Sequence, residues 1–187
     1  MRLLVTREQY FDAAMTLLAT DGVGKLKIAT LCGALNVTTG SFYGYFGSLD
    51  GFVAEFLAYW EETQTERLGQ LAGVPGDLAA RVHLLKRLTA GLPHSAEAAI
   101  RGWAHSDAQV AAAQKRVDDR RIDIVTNLLA PAVGSRREAA TLAIMGVTLL
   151  IGIQQWRSPV TTRDFNRIFN EYEKVLFARM TGDESIA

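Results

Sequence analysis

The eleven residues from Asn36 to Phe46 read NVTTGSFYGYF, and they combine aromatic side chains with two glycines and several small hydroxyl residues. Glycine weakens a helix, whereas aromatic side chains at helical spacing usually belong to a hydrophobic core. A helix that lies in the major groove of DNA reconciles these features, because its inner face must anchor it and its outer face must be small or polar. Asn36 to Thr38 fits a tight turn before such a helix. The stretch therefore predicts the second helix of a helix-turn-helix.

Spacing divides this short helix, predicted at about Thr39 to Tyr45, into two faces. Phe42 and Phe46 are four residues apart and can anchor one face. The hydroxyl side chains of the other face can meet phosphates and base edges, and the two glycines let the backbone approach DNA closely. The alternative is a packing helix whose aromatic residues are plain core. The outward positions are Thr38, Thr39, Gly40, Ser41, Gly44 and Tyr45.

The rest of the chain has helical apolar spacing in every long segment. Thr6-Arg7-Glu8-Gln9 has the spacing of a capping box, so a first helix begins there and ends at the glycine turn 21–24. A second helix is predicted at about 28–35 and a linker at 72–77, which reads AGVPGD. Further helices are predicted at about 48–71, 78–90, 96–104, 107–129, 136–156 and 162–180.

Composition indicates a globular all-α protein. The 187 residues are 49% hydrophobic and include four prolines, which favours one or two small helical domains. The single cysteine, Cys32, cannot form an internal disulfide or a metal cluster alone, which fits a reducing cytoplasm. The three histidines lack metal-ligand spacing, and no secretory leader is recognisable, so we expect no metal, no cofactor and a cytoplasmic location.

The net charge of the sequence and its hydropathy indicate which partners to expect. The formal net charge is zero, which argues weakly against nucleic acid, and the acidic residues of the first fifty match the basic ones. The longest uncharged run, Ala139 to Trp156, falls short of the roughly 20 apolar residues that a bilayer span needs. A buried helix is therefore expected there, and no membrane partner.

From about Thr6 to Phe56 the sequence resembles the DNA-binding domain of the TetR family of transcriptional regulators. The stretch 43–46, Tyr-Gly-Tyr-Phe, matches the end of the family's recognition helix, and 37–41 matches its turn and the start of that helix. The resemblance implies that Tyr43 and Tyr45 contact phosphates. It also implies that the start of the second helix, with Lys27, faces DNA. The groove-facing residues implied are Thr38, Thr39, Gly40, Ser41 and Gly44.

Two positions depart from the family pattern. Leu49 stands where a lysine is common, and Gly44 stands where a larger polar or basic residue is common. With the neutral first fifty residues, these departures predict a weak nonspecific electrostatic contribution to DNA binding. A TetR-like ligand-binding protein that has weakened or lost DNA binding is therefore an open alternative.

The last two helices predict a dimer. The first of them, EAATLAIMGVTLLIGIQQW, is apolar nearly all round, and such a helix must be buried on every side. A four-helix bundle made from two copies of the pair would bury it, although a core within one chain is the alternative. The residues expected in the dimer interface are Leu149, Ile153, Phe165, Ile168, Phe169, Tyr172 and Leu176.

Residues 47–187 resemble a TetR-type regulatory domain in helix number and length, and the resemblance implies a ligand cavity among the middle helices. An aromatic and aliphatic lining would suit a small, largely apolar effector. The charged stretch 117–121, VDDRR, is interpreted as a salt-bridged surface turn of helix. The candidate ligand contacts, each of which has plain core as its alternative, are Phe56, Tyr59, Trp60, Leu84, Trp103, Val117 and Leu128.

The sequence therefore predicts an N-terminal three-helix helix-turn-helix domain, residues 1–46, and a C-terminal helical ligand-binding and dimerisation domain, residues 47–187. The expected function is a ligand-responsive transcriptional regulator, most often a repressor in this family. It would bind double-stranded operator DNA as a homodimer and be released by a small-molecule effector. An α-helical enzyme would need a nucleophile with a base, a metal cluster or paired carboxylates, and the sequence assembles none.

Overall fold

The computed structural model describes residues 5–69 and 77–181, and its helices follow the predicted ones closely. The all-α fold is confirmed, with a short 3-10 turn at Val23–Lys25 as an addition. Arg2 and most of the predicted linker at 72–77 lie outside the described residues. The helices are α1 (Arg7–Asp21), α2 (Ile28–Ala34), α3 (Thr39–Phe46), α4 (Leu49–Gly69), α5 (Leu78–Ala90), α6 (His94–Trp103), α7 (Ala108–Leu129), α8 (Arg136–Trp156) and α9 (Thr162–Thr181).

Side-chain caps fix the starts of α1 and α3, and the sequence predicts the first of these caps. Thr6 and Gln9 form the capping box of α1: the Gln9 amide donates to Thr6 Oγ1, and the Thr6 amide donates to Gln9 Oε1 at 2.8 Å. Thr38 caps α3 by accepting from the Ser41 amide. Such caps typically contribute about 1 kcal/mol each, because they satisfy amides that have no partner inside the helix.

The junction between α3 and α4 depends on glycine. Gly47 ends α3 with a φ of 68°, in the left-handed region that side chains disfavour. A Cβ at Gly51 would lie 2.3 Å from the Phe46 carbonyl oxygen, so the first turn of α4 can pass α3 only without a side chain there. These two glycines set the direction in which α4 leaves the predicted recognition helix.

The chain divides into two compact units. The first unit comprises Met1–Glu62 and Pro93–Gln114, and the second comprises Thr63–Leu92 and Lys115–Ala187. Both α4 and α7 begin in the first unit and continue into the second. The predicted boundary after residue 46 divides the chain by expected role, and it stays a prediction.

Aromatic side chains form the core of the first unit. Tyr10 and Phe46 have ring centroids 5.3 Å apart in an edge-to-face arrangement, and the Phe46 and Phe52 centroids are 5.0 Å apart. Tyr10, Phe42 and Phe52 are fully buried. Such pairs contribute about 0.5–1.5 kcal/mol beyond their burial. This cluster joins α1, α3 and α4, and α6 packs against α1.

The core of the second unit joins α5, α7, α8 and α9. The Phe165 and Phe169 rings stack with centroids 4.2 Å apart. The buried Tyr172 hydroxyl donates to the Leu142 carbonyl oxygen at 2.6 Å, which ties α9 to α8. Burial raises the pKa of Tyr172 far above its ordinary value, so the phenol stays protonated and keeps donating.

Five of the seven residues predicted for the dimer interface belong to this core. They are between 1% and 8% exposed in the single chain, so they are already buried without a partner. They pack within their own unit in the single chain, and their place in a dimer interface stays a prediction. Leu149 and Ile168 are partly buried, and their place in an interface stays a prediction. The five core residues are Ile153, Phe165, Phe169, Tyr172 and Leu176.

One face of α8 is apolar and exposed. Ile144 is 51% exposed and Met145 is 42% exposed, and neighbouring Thr141, Thr148 and Gly152 are also exposed. By length and composition α8 could cross a membrane, alone among the described helices, but core helices of soluble proteins meet the same criterion. Exposed apolar residues on one helix face are typical of interaction surfaces when they form a large patch.

Candidate DNA-binding face and ligand cavity

The helix α3 separates its anchors from its exposed face as the spacing predicts. Phe42 and Phe46 are 0% and 6% exposed and join the aromatic core. On the other side Thr39, Gly40 and Gly44 are exposed, and Tyr43 is 52% exposed. A Cβ at Gly44 would meet no atom within 4 Å, so the bare face there is open space.

The remaining predicted groove residues of this helix also have structural contacts. The hydroxyl of Thr38 accepts from the Ser41 amide as the α3 cap. Ser41 is partly buried, and its Oγ accepts from the Tyr10 hydroxyl at 3.3 Å. Tyr45 is partly buried with its ring centroid 6.0 Å from that of Tyr10. These three side chains thus help to hold α3 in place.

Lys27, which is expected to face DNA, and Arg7 differ in their surroundings. Arg7 forms an ion pair with Glu55 of α4, and its Nη2 donates to the Tyr45 carbonyl oxygen at 2.9 Å. The hydrogen bond to Glu55 raises the pKa of Arg7. Lys27 is exposed at the N-cap of α2, and Lys25 is exposed two residues earlier. Arg7 therefore fastens α1 to α3 and α4, whereas the lysines remain on the surface.

Cys32 lies beneath the turn between α2 and α3. It is 3% exposed, with its Sγ 3.7 Å from the Thr38 carbonyl oxygen. Burial raises the pKa of the Cys32 thiol, which disfavours the reactive thiolate. The residue thus packs the turn.

A cavity lies within the second unit, among α4, α5, α7, α8 and α9. Its empty space, including the part that is open to solvent, is about 710 Å³. Most of its lining is aliphatic or aromatic. The lining residues are Gln64, Arg67, Leu68, Val82, Leu85, Lys86, Leu88, Thr89, Leu92, Arg121, Val125, Ala143, Gly146, Val147, Leu150, Phe169, Tyr172, Glu173 and Leu176.

Two polar clusters face this cavity. In the first, buried Arg121 donates from Nη2 to Gln64 Oε1 at 2.9 Å. In the second, Glu173 accepts from Lys86 at 2.7 Å and lies 2.8 Å from His83 Nδ1. Burial disfavours the Glu173 carboxylate, but Lys86 and His83 outweigh that cost and lower the pKa of Glu173. Glu173 is therefore ionised at neutral pH.

The seven residues predicted as ligand contacts do not line this cavity. Four of them belong to the first unit, and Leu84, Val117 and Leu128 belong to the second without reaching the lining. Their role in binding a ligand stays a prediction, and the cavity provides a different set. The four in the first unit are Phe56, Tyr59, Trp60 and Trp103.

The stretch VDDRR is not wholly a surface turn, which corrects the interpretation from sequence. Val117 is 4% exposed and Arg121 is 5% exposed, whereas Asp119 and Arg120 are exposed. The sequence spacing indicates that Arg121 is buried, because it stands four residues after Val117 and four before Val125, on the buried stripe of α7. A charged residue on an apolar stripe indicates a buried polar site. Gln64, four residues after Trp60 on α4, is the same kind of signal.

Within residues 5–69 and 77–181, no group of three or more His, Cys, Asp or Glu side chains is arranged to hold a metal ion. The chemistry of these residues is suited to binding. The first unit offers an exposed polar helix face, and the second offers an apolar cavity with buried hydrogen-bond donors.

Comparison with known proteins bears on the helix-turn-helix and on the fold. Residues 11–56 match the family model described as bacterial regulatory proteins, tetR family, so the predicted resemblance to that family is confirmed. No curated protein matches the sequence. The matched segment covers α2 and α3 entirely, together with parts of α1 and α4, and so includes the whole helix-turn-helix.

Solved structures extend the likeness of fold to most of the chain. A TetR transcriptional regulator from Legionella pneumophila has a TM-score of 0.79 at 12% identity, covering 94% of this chain and 98% of that chain. GusR from Salmonella enterica has a TM-score of 0.71 at 16% identity, covering 97% and 96%. A regulator from Saccharomonospora viridis, solved in complex with choline, has a TM-score of 0.71 at 15% identity, covering 95% and 96%.

Proposed function

The chain has the fold of a TetR-family transcriptional regulator, and we propose that it is a ligand-responsive repressor. It binds operator DNA as a homodimer in the cytoplasm, and a small effector in the cavity of the second unit releases it. The observation that carries the proposal is the exposed, polar, glycine-containing face of α3 opposite buried Phe42 and Phe46. The similar structure from Legionella pneumophila is described as a TetR transcriptional regulator.

Contact with DNA is supported by the chemistry of that face. Tyr43 can donate its phenol hydroxyl to a phosphate, while Thr39 can reach base edges. Gly40 and Gly44 carry no side chain that would hold the backbone away from the groove. Since Arg7 is paired with Glu55, positive charge comes mainly from Lys25 and Lys27. We therefore expect affinity to fall with salt on a shallow slope of a few phosphates.

A homodimer is supported by the exposed face of α8. Ile144, Met145 and Thr148 lie on one side of an uncharged stretch of this helix, and an exposed apolar surface of this kind favours association. A two-fold dimer places two recognition helices on half-sites about 34 Å apart. The proposed interface therefore uses the residues that the single chain leaves exposed, and not the buried stripe of α9.

Release by a ligand is supported by the course of α4. This helix begins three residues after α3 ends, and it carries Gln64, Arg67 and Leu68 of the cavity lining. A ligand that shifts α4 changes the position of α3 and hence the spacing of the two half-site contacts. Couplings of this kind are typically about 1–3 kcal/mol, and operator DNA must weaken the ligand by the same factor.

Selection of binding sites from random duplex DNA tests the function. We expect a pseudo-palindromic site whose half-sites are about one helical turn apart. Tyr43→Ala should weaken binding to all sequences alike, whereas Thr39→Ala should alter base preference. Recovery of no preferred sequence would contradict the proposal.

A second candidate, a TetR-like ligand-binding protein without operator binding, is favoured by Leu49 and by the pairing of Arg7. Leu49→Lys restores the charge that is common at this position in the family. In a weak but genuine DNA-binding protein it should tighten binding and steepen the salt slope by about one phosphate. A protein that has lost the function would show no selected site with or without this change.

A further inference from the structure

The helix α3 has none of the side chains that recognise purines through two hydrogen bonds. Its eight residues are TGSFYGYF, without Arg, Lys, Asn or Gln. In the major groove, Arg and Lys donate to guanine O6 and N7, and Asn and Gln pair with adenine N6 and N7. The base preference of α3 must therefore come from another kind of contact.

Two side chains of α3 are exposed, those of Thr39 and Tyr43. The two other exposed residues of this helix, Gly40 and Gly44, have no side chain. Tyr43 carries its hydroxyl at the end of a long ring, which suits the proposed contact with a phosphate. The Thr39 side chain is short and ends in a methyl group and a hydroxyl, so it is the side chain of α3 that suits a base edge.

The surface beside Thr39 is bare backbone. A Cβ at Gly40 would lie 3.7 Å from Thr38 Oγ1, and a Cβ at Gly44 would meet no atom within 4 Å. The helix can therefore approach the floor of a groove closely, because no side chain at these two positions holds it away. Such an approach brings the methyl group of Thr39 to the base edges.

We propose that α3 recognises thymine, whose C5-methyl group packs against the methyl group of Thr39 beside the bare backbone at Gly40. Thymine is the base that presents a methyl group in the major groove, and a threonine methyl group is one of its apolar partners. The contact is favourable because it removes both methyl groups from water, and it requires no charged side chain. The inference rests on the proposed function in taking α3 as the helix that enters the groove.

Deoxyuridine substitution tests the recognised base on the wild-type protein. In the operator selected from random duplex DNA, each thymine is replaced in turn by deoxyuridine at the matching position of both half-sites. This replacement removes the C5-methyl group and keeps the base pair. We expect one such pair of replacements to weaken binding about tenfold in fluorescence anisotropy, since each half-site loses one buried methyl contact. If every pair of replacements changes affinity by less than about twofold, the inference is overturned.

Variants of Thr39 assign the contact to its methyl group. Thr39→Ser keeps the hydroxyl and removes the methyl group, so it should weaken binding to the thymine operator about tenfold and reduce the deoxyuridine penalty to about twofold or less. Thr39→Val keeps the methyl group and should keep the penalty. Thr16→Ser, at an exposed position of α1, makes the same change outside α3 and should alter neither affinity. The full penalty in Thr39→Ser, or its loss in Thr39→Val, would overturn the inference.

The outcome of the selection separates this inference from the proposed function. A preferred operator whose affinity does not depend on a thymine methyl group would support the regulator and overturn the inference. Recovery of no preferred sequence would contradict both the regulator and thymine recognition by α3. A deoxyuridine penalty that disappears in Thr39→Ser would support both.

Discussion

The two compact units use their hydrophobic cores differently. In the first, aromatic side chains such as Phe42 fill the core, and the proposed DNA contacts lie on the opposite face of α3. In the second, the cavity is lined by core residues themselves, among them Phe169, Tyr172 and Leu176. Function and folding stability should therefore be separable in the first unit and linked in the second.

The largest expected effect concerns Phe169, which the sequence assigns to a dimer interface and the structure assigns to the core. Phe169→Arg should unfold the second unit, because an unpaired buried charge costs several kcal/mol. Loss of the cooperative transition in thermal melts followed by circular dichroism would show this. A folded, monomeric Phe169→Arg protein would instead return this residue to an interface between chains.

Met145→Arg is the matched change on the exposed face of α8. Met145 is 42% exposed in the single chain, so the new charge should be tolerated by the fold while it separates the proposed dimer. Sedimentation velocity should then show a monomer with unchanged helix content. Asn170→Arg, on the exposed polar side of α9, adds the same charge and should leave the dimer intact.

Gly146 tests the link between the cavity and stability. A Cβ there would lie 2.6 Å from Tyr172 Oη and 2.8 Å from its Cζ, so Gly146→Ala forces the ring away from its bond to Leu142. We expect the free energy of unfolding to fall by about 1–3 kcal/mol, as for other overpacked cores. In a Tyr172→Leu background the same change should cost less, as denaturant unfolding can show. Equal costs in both backgrounds would mean that the ring is not the obstacle.

The contrast between the units also explains what the sequence could predict. The helix-turn-helix is local: Thr6, the glycine turns and the pair Phe42 and Phe46 each act within a few residues, so spacing alone indicates their roles. The cavity is assembled from five helices that are far apart in sequence. The spacing of apolar residues predicts that a residue such as Trp60 is buried. It does not predict which side of the core encloses a cavity.

The sequence predicts the buried polar residues of the second unit only in part. Arg121 and Gln64 stand on apolar stripes, and this spacing by itself marks them as buried polar residues. Their contact at 2.9 Å joins α7 to α4 over 57 positions of sequence, and no spacing rule predicts such a pair. The predicted dimer residues on α9 are a similar case, since an apolar stripe indicates burial but does not show against which surface the stripe packs.

Glu173 gives a pH-dependent test of the second unit, in which function and folding stability are expected to be linked. Its pKa lies below the ordinary value of 4.5, so its contribution to stability is present above that pH and is lost as the pH falls through the folded value. Glu173→Gln should lower the free energy of unfolding by about 1–2 kcal/mol at pH 7, since Glu173 is mostly buried. Denaturant unfolding should show this deficit shrinking below pH 4.5. A deficit independent of pH would exclude ionisation of Glu173 as its origin.

Glu171 supplies the control on the same helix. Its side chain is 69% exposed and pairs with Lys174, which is also exposed. Exposed pairs contribute little because water screens them, so Glu171→Gln should change stability only slightly at any pH. A loss as large as that of Glu173→Gln would mean that the buried cluster has no special role.

The smallest expected effect is the sharpest test of whether DNA binding and folding stability can be changed separately in the first unit. Gly44 lies inside α3, with open space where a Cβ would stand, so Gly44→Ala should stabilise the folded protein by about 0.5–1 kcal/mol. The added methyl group projects from the face proposed to approach DNA, and operator affinity should fall severalfold although the protein is more stable.

Gly102→Ala, in α6 with equally open surroundings, should give at most the same gain in stability and leave DNA binding unchanged. Thermal unfolding and fluorescence anisotropy with the selected operator measure the two quantities on the same samples. If Gly44→Ala raised both stability and operator affinity, the bare face of α3 would not be where the backbone meets DNA, and the separation of core from function in this unit would not hold.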